Sequence, residues 1–184
     1  MKRAVLLAVV LALSCGVSFA GGPTTTATGG AVTLTAIIPS YIGFTSPNIQ
    51  SITFDYTIDG LALAMGLPVT KLAGTNPSWT LLYNLSGKPT ITVCAYATAL
   101  TGSGTNSIPA SSVYGAPNGG ATLQFNGSGC GQTGNAIVMD TINGATFNTG
   151  KTEAFTGFFL QTPNGAVVPP DTYTGTLNII AQAQ

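Results

Sequence analysis

The sequence predicts one antiparallel β-sandwich of about seven or eight strands, set behind a secretory signal peptide. Three observations carry this. Several stretches alternate apolar and polar residues with period two, as in Ile52, Phe54, Tyr56 and Ile58 against Ser51, Thr53, Asp55 and Thr57. Turn pairs punctuate the chain at Asp59-Gly60, Ser86-Gly87, Asn126-Gly127, Asn143-Gly144 and Asn164-Gly165. Helical spacing is not sustained beyond the first twenty residues.

Residues 1–20 begin Met1-Lys2-Arg3, run apolar from Ala4 to Leu13 and end Ser18-Phe19-Ala20. A basic start, a short apolar stretch and small residues before the cut make a signal peptide cleaved after Ala20. The apolar run is too short for a stable membrane anchor. Cys15 offers a lipid-attachment alternative, against which stands Ala12, where a bulky aliphatic residue is expected. Residues 21–30 (GGPTTTATGG) show no periodicity and read as a flexible leader.

The expected domain covers 31–184. Its first strand is 31–38, with Val32, Leu34, Ala36 and Ile38 on one face and Thr33, Thr35 and Ile37 on the other. An alternating segment near a free N-terminus can close its own sheet or a neighbour's. The next strand is 50–58, followed by 61–65 as a short strand or a helical turn. Residues 78–85 put Trp79, Leu81, Tyr83 and Leu85 on one face, and 89–97 put Ile91, Val93, Ala95 and Ala97 on one face. Ser86-Gly87 between them predicts a hairpin. Residues 101–120 read as a loop. Short strands are expected at 121–125, 136–139 and 154–160, and the last at 172–181.

Residues 21–184 number 164, enough for a single domain with a sizeable core. They carry Lys71, Lys88 and Lys151 against Asp55, Asp59, Asp140, Glu153 and Asp171, a net charge of −2. No arginine follows residue 3, so a basic footprint for nucleic acid or anionic membrane is missing. The chain is 45% hydrophobic, which argues for a packed core and against disorder. A surface of Thr, Ser, Asn and Gln has little charge repulsion to hold copies apart.

Cys94 and Cys130 remain once Cys15 leaves with the signal, and an even pair in an exported chain reads as a disulfide. Cys94 falls on the face opposite Ile91 and Val93, and Cys130 lies in a Gly-rich loop, 126–131. The bond would fasten that loop to the outside of the sheet, closing about 37 residues.

Catalytic groups are scarce. The chain has no histidine, which removes the usual triads. Asp140 and Glu153 flank the connection 141–152. If they converge they could hold Ca²⁺ with backbone carbonyls; otherwise they are two solvated loop carboxylates. Two cysteines without histidine do not fill a zinc site. No enzyme activity, metal or cofactor is expected. Tyr96, Tyr114 and the 101–120 loop are the candidates for touching a glycan.

The terminal Pro170-Asp171-Thr172-Tyr173-Thr174-Gly175-Thr176-Leu177-Asn178-Ile179 resembles the closing strand of secreted bacterial pilin-like domains, notably the spore coat U and chaperone–usher group. Leu81-Leu82-Tyr83-Asn84-Leu85 resembles a Leu-x-Tyr-x-Leu strand of the same group. The resemblance implies an incomplete immunoglobulin-like fold completed by an N-terminal extension of the next subunit. Carried onto this chain, the extension is 31–38, with Val32, Leu34, Ala36 and Ile38 as the donated side chains. It implies a structural subunit of an extracellular fibre on a bacterial cell surface, its partners being other copies of itself. The alternative is a secreted carbohydrate-binding or adhesive module. No cysteine lies between Ile38 and Cys94, where that group usually places one.

Overall fold

The computed structural model describes residues 35, 36 and 38–184. Two antiparallel sheets hold the core between them. The strands are β1 (Tyr41–Phe44), β2 (Thr70–Leu72), β3 (Ser78–Asn84), β4 (Ile91–Ala97), β5 (Leu100–Thr101), β6 (Ser107–Ile108), β7 (Val113–Pro117), β8 (Leu123–Gln124), β9 (Gly127–Gly129), β10 (Gln132–Ile142), β11 (Phe147–Gln161) and β12 (Leu177–Ala183). One sheet runs β1-β3-β11-β7-β8, with β2 also on β11. The other runs β12-β4-β10-β9, and β5 pairs β6 alone. Helix α1 (Gly60–Ala64) is a single short turn of helix.

The period-two faces are the reason for this layering. Trp79, Leu81 and Tyr83 of β3 are buried, as are Ile91, Val93, Ala95 and Ala97 of β4. Strands with one apolar face are stable only when that face is covered, and here each sheet covers the other. The core centres on Phe125, Phe155 and Phe158, whose ring centroids lie 5.4–6.2 Å apart. Gly115 of β7 belongs to the same contact: a β-carbon there would sit 2.5 Å from Phe155 Cδ1.

β11 would lose its inward face halfway along without a bulge. Lys151, Glu153 and Phe155 turn inward in its first part, Phe158 and Leu160 in its second. The parity changes between Thr156 and Phe159, where the pairing with β7 shifts register. Gly157 supplies the left-handed φ of 64° that this extra residue needs.

The disulfide forms as the sequence predicts. Cys94 and Cys130 are joined, with Cα atoms 6.0 Å apart. Cys94 stands opposite Val138, which is 42% exposed, so it lies on the outer face. The 127–131 segment, β9 and the two residues after it, covers Cys94 and leaves it without solvent exposure. The fit is close, since a β-carbon on Gly129 would stand 2.8 Å from Cys94 Sγ.

Four expectations are corrected. The 78–85 and 89–97 strands do not form a hairpin: β3 pairs β1 and β11, and β4 pairs β10 and β12. Both have an apolar face, and the 85–90 link carries the chain from one sheet to the other, with Gly87 and Lys88 at φ 80° and 53°. Residues 50–58 are extended, and Ile52, Phe54 and Tyr56 pack on the core, but they form no ladder among the described residues. Ile58 is 90% exposed, because the Asp59 N–H bonds back to the Tyr56 carbonyl and the chain turns early. The 101–120 stretch is not a plain loop; it contains β6, a 3-10 turn (Ala110–Ser112) and β7. The 136–139 and 154–160 strands are only the buried centres of β10 and β11, which run 11 and 15 residues.

Candidate functional site

Two segments, 49–57 and 167–178, line an open cleft of about 1060 Å³. Its floor is apolar: Trp79 of β3, Ile108, Val113, Phe158 and Leu160 of β11, and Leu177 of β12. Among the described residues, no backbone-to-backbone hydrogen bond engages 49–55 or 166–173. β12 lies at the end of its sheet, with β4 on one side. Main-chain N–H and C=O groups without partners are strong hydrogen-bonding groups, and a strand edge of this kind accepts another strand.

The 49–57 wall is pinned at its far end. The Tyr56 hydroxyl donates to the Leu160 carbonyl at 2.8 Å. Burial, and then the charge of Asp59, push the Tyr56 hydroxyl pKa up, so it stays a donor throughout the ordinary pH range. Lys71 pairs with Asp59 at 2.6 Å and stands 5.8 Å from the Tyr56 ring centre. Asp55 is exposed, and its carboxylate accepts the Thr57 hydroxyl and N–H, which lowers its pKa.

The 167–178 wall is pinned by Asp171 and Tyr173. The Asp171 carboxylate accepts the Ser103 hydroxyl and N–H together with the Thr172 N–H, and these bonds lower its pKa. The Tyr173 hydroxyl donates to the Pro169 carbonyl at 2.9 Å. Thr174 and Thr101 exchange backbone bonds at 2.8 and 3.0 Å, and from Thr176 the chain runs into β12.

Val32 and Leu34 lie outside the described residues, as does most of 31–38. Ala36 and Ile38 are exposed and outside any strand. The cleft itself was not foreseen as a site. Its sequence signal was present: 50–58 alternates like a strand, yet Pro47 precedes it and no hairpin partner adjoins it.

Tyr96 and Tyr114 are not brought together: Tyr96 is on β4 and Tyr114 on β7, in different sheets. Tyr114 stacks on Phe159 with centroids 4.8 Å apart and planes 6° from parallel. It borders a second depression, of about 340 Å³, with Gln124, Gln161, Thr162 and Asn164.

Asp140 and Glu153 do converge, and neither is a solvated loop carboxylate. β10 and β11 extend until only 143–146 separates them, so both carboxylates sit on strands. Lys151 lies between them: its ammonium contacts Asp140 Oδ2 and stands 3.3 Å from Glu153 Oε1. That ammonium occupies the place a calcium ion would need. Glu153 has no solvent exposure, and its Oε2 accepts Asn118 Nδ2 at 2.7 Å. Among the described residues, no three His, Cys, Asp or Glu side chains gather as a metal-holding group.

Comparison with known protein families, curated proteins and solved structures gives no match to this chain.

Proposed function

We propose that the protein is a structural subunit of an extracellular fibre or pilus-like surface assembly, joined by N-terminal strand donation. The observation that carries the reading is the cleft: an apolar floor lined by two segments whose 49–55 and 166–173 stretches make no backbone-to-backbone hydrogen bond among the described residues. Residues 31–38 of a neighbouring copy suit it in chemistry and length. Val32, Leu34, Ala36 and Ile38 supply an apolar face with period two. Eight residues at ~3.3 Å each reach ~26 Å, comparable with the nine-residue 49–57 wall. The segment 1–20 would direct export, and the leader 21–30 would give the donor its reach. No catalytic step is assigned to the protein.

Main-chain pairing along such a strand, with four side chains buried, gives a joint whose durability lies in slow release. The test compares the chain starting at residue 21 with one starting at residue 39. The longer form is expected to yield ladders of multiples that survive cold detergent, and the shorter form a monomer. Monomers from both would remove the proposal.

A second reading, glycan binding, is supported by the Tyr114 depression, which combines an aromatic ring with amide and hydroxyl groups. A glycan array on the shorter, monomeric form tests it. Binding that is lost in Tyr114→Ala is the expected result under this reading, and an empty array discards it.

A further inference from the structure

We propose that Lys151 and Asp140 condense into an intramolecular amide bond, with Glu153 as the catalytic residue. The bond would join β10 to β11, and so one sheet to the other. It is independent of the strand-donation reading.

Two bulges bring the reacting groups together. In β10 the register against β4 shifts between Val138 and Asp140. Ile137 is buried before the shift and Met139 within it, and Asp140 and Ile142 take the inner positions after it. In β11 the register against β3 shifts between Asn148 and Lys151, ahead of the inward series Lys151, Glu153, Phe155. Bulges re-aim side chains, and both of these aim a polar residue into the space between the sheets. Glu153 is fully buried there, while the Lys151 and Asp140 side chains are 35% and 23% exposed, and a charged cluster of this kind has no use in packing.

The contact geometry fits amide formation. Lys151 Nζ touches Asp140 Oδ2, so the amine nitrogen lies beside the carboxyl group it would attack. Asp140 Oδ1 is held by the Thr141 N–H at 2.8 Å, which fixes the carboxyl plane. Asp140 Oδ2 and Glu153 Oε1 are both shielded from solvent, and the donor that both face is the same ammonium. Glu153 is held from behind: Asn118 bonds its Oε2 and bonds the Ala154 backbone at both N–H and C=O. Asn118 adopts a left-handed φ of 48° to do so.

The chemistry balances without a co-reactant. Glu153 Oε1 takes one proton from the Lys151 ammonium and passes it to the Asp140 carboxylate, leaving a neutral amine beside a neutral acid. The nitrogen lone pair attacks Asp140 Cγ and the C–N bond forms. Glu153 carries a second proton from nitrogen to the departing oxygen, the C–O bond breaks, and one water leaves. The ammonium–carboxylate pair and the amide plus water contain the same atoms and the same net charge. Groups held in this geometry react as though at ~10⁵ M or more.

The sequence makes the test direct. Beyond residue 3 the chain has no arginine, and Lys88 precedes Pro89, so past Lys2 and Arg3 trypsin cuts the denatured, reduced chain after Lys71 and Lys151 only. Because an amidated Lys151 is no longer a trypsin site, the full chain, folded and then digested, is expected to give 72–184 uncut, lighter by about 18 Da than its residues require. Tandem mass spectrometry should place the join between Asp140 and Lys151. Glu153→Gln, which keeps both reacting groups, is expected to give separate fragments 72–151 and 152–184 from folded protein. Separate fragments from the unaltered chain would overturn the bond, whether or not the variant folds. A complete bond in folded Glu153→Gln would overturn the role of Glu153.

Discussion

Phe155→Ala is expected to cost about 3–5 kcal/mol of folding stability, the largest effect of any single side chain here. Phe155 is 1% exposed and sits between Phe125 and Phe158 at centroid distances of 5.7 and 5.4 Å. The missing β-carbon of Gly115 gives it room, so truncation opens a void beside a position that has no side chain to fill it. Equilibrium denaturation should show a lower midpoint with the slope retained. Phe147, 66% exposed at the start of the same strand, is the control: Phe147→Ala should stay within about 0.5 kcal/mol. Equal midpoints for the two variants would mean that the aromatic cluster is not the centre of the core.

Opening the Cys94–Cys130 bond is expected to cost roughly 3–4 kcal/mol, the chain-entropy value for cysteines 36 apart. Cys94 is fully buried beneath the loop, and that loop has no apolar side chains of its own to hold it down. The reduced chain should melt at a lower denaturant concentration than the oxidised one. Cys94→Ala with Cys130→Ala should fall at or slightly below the reduced value, since it also removes two sulfur atoms. Matching midpoints for oxidised and reduced protein would show that the loop is held by something other than the bond.

Strand faces were legible because side-chain period is a local property. Trp79, Leu81 and Tyr83, and Ile91, Val93 and Ala95, are buried as their alternation requires. Strand partners were not legible. The Ser86-Gly87 turn suits a hairpin as well as a crossing between sheets, and only packing of the two apolar faces against each other selects the crossing. The 50–58 segment shows the same limit: its inward residues reach the core, while ladder formation depends on what lies beside it. The Asp140–Lys151–Glu153 cluster was half visible, through its two carboxylates. The lysine was hidden because the expected strand began at 154, which left Lys151 in the 141–152 connection, and because the bulge at Val138/Asp140 changes the parity that turns Asp140 toward it.

The sequence by itself determined an all-β chain with antiparallel strands, the faces of its central strands and the pairing of its two later cysteines. Alternation, turn pairs and cysteine count each act through near neighbours or simple arithmetic. Tertiary structure alone decided which strands adjoin, where the sheets leave an apolar cleft lined by 49–57 and 167–178, and which charges of β10 and β11 meet. Those depend on register and on contacts between residues distant in the chain, and a single bulge is enough to reverse which face a side chain joins.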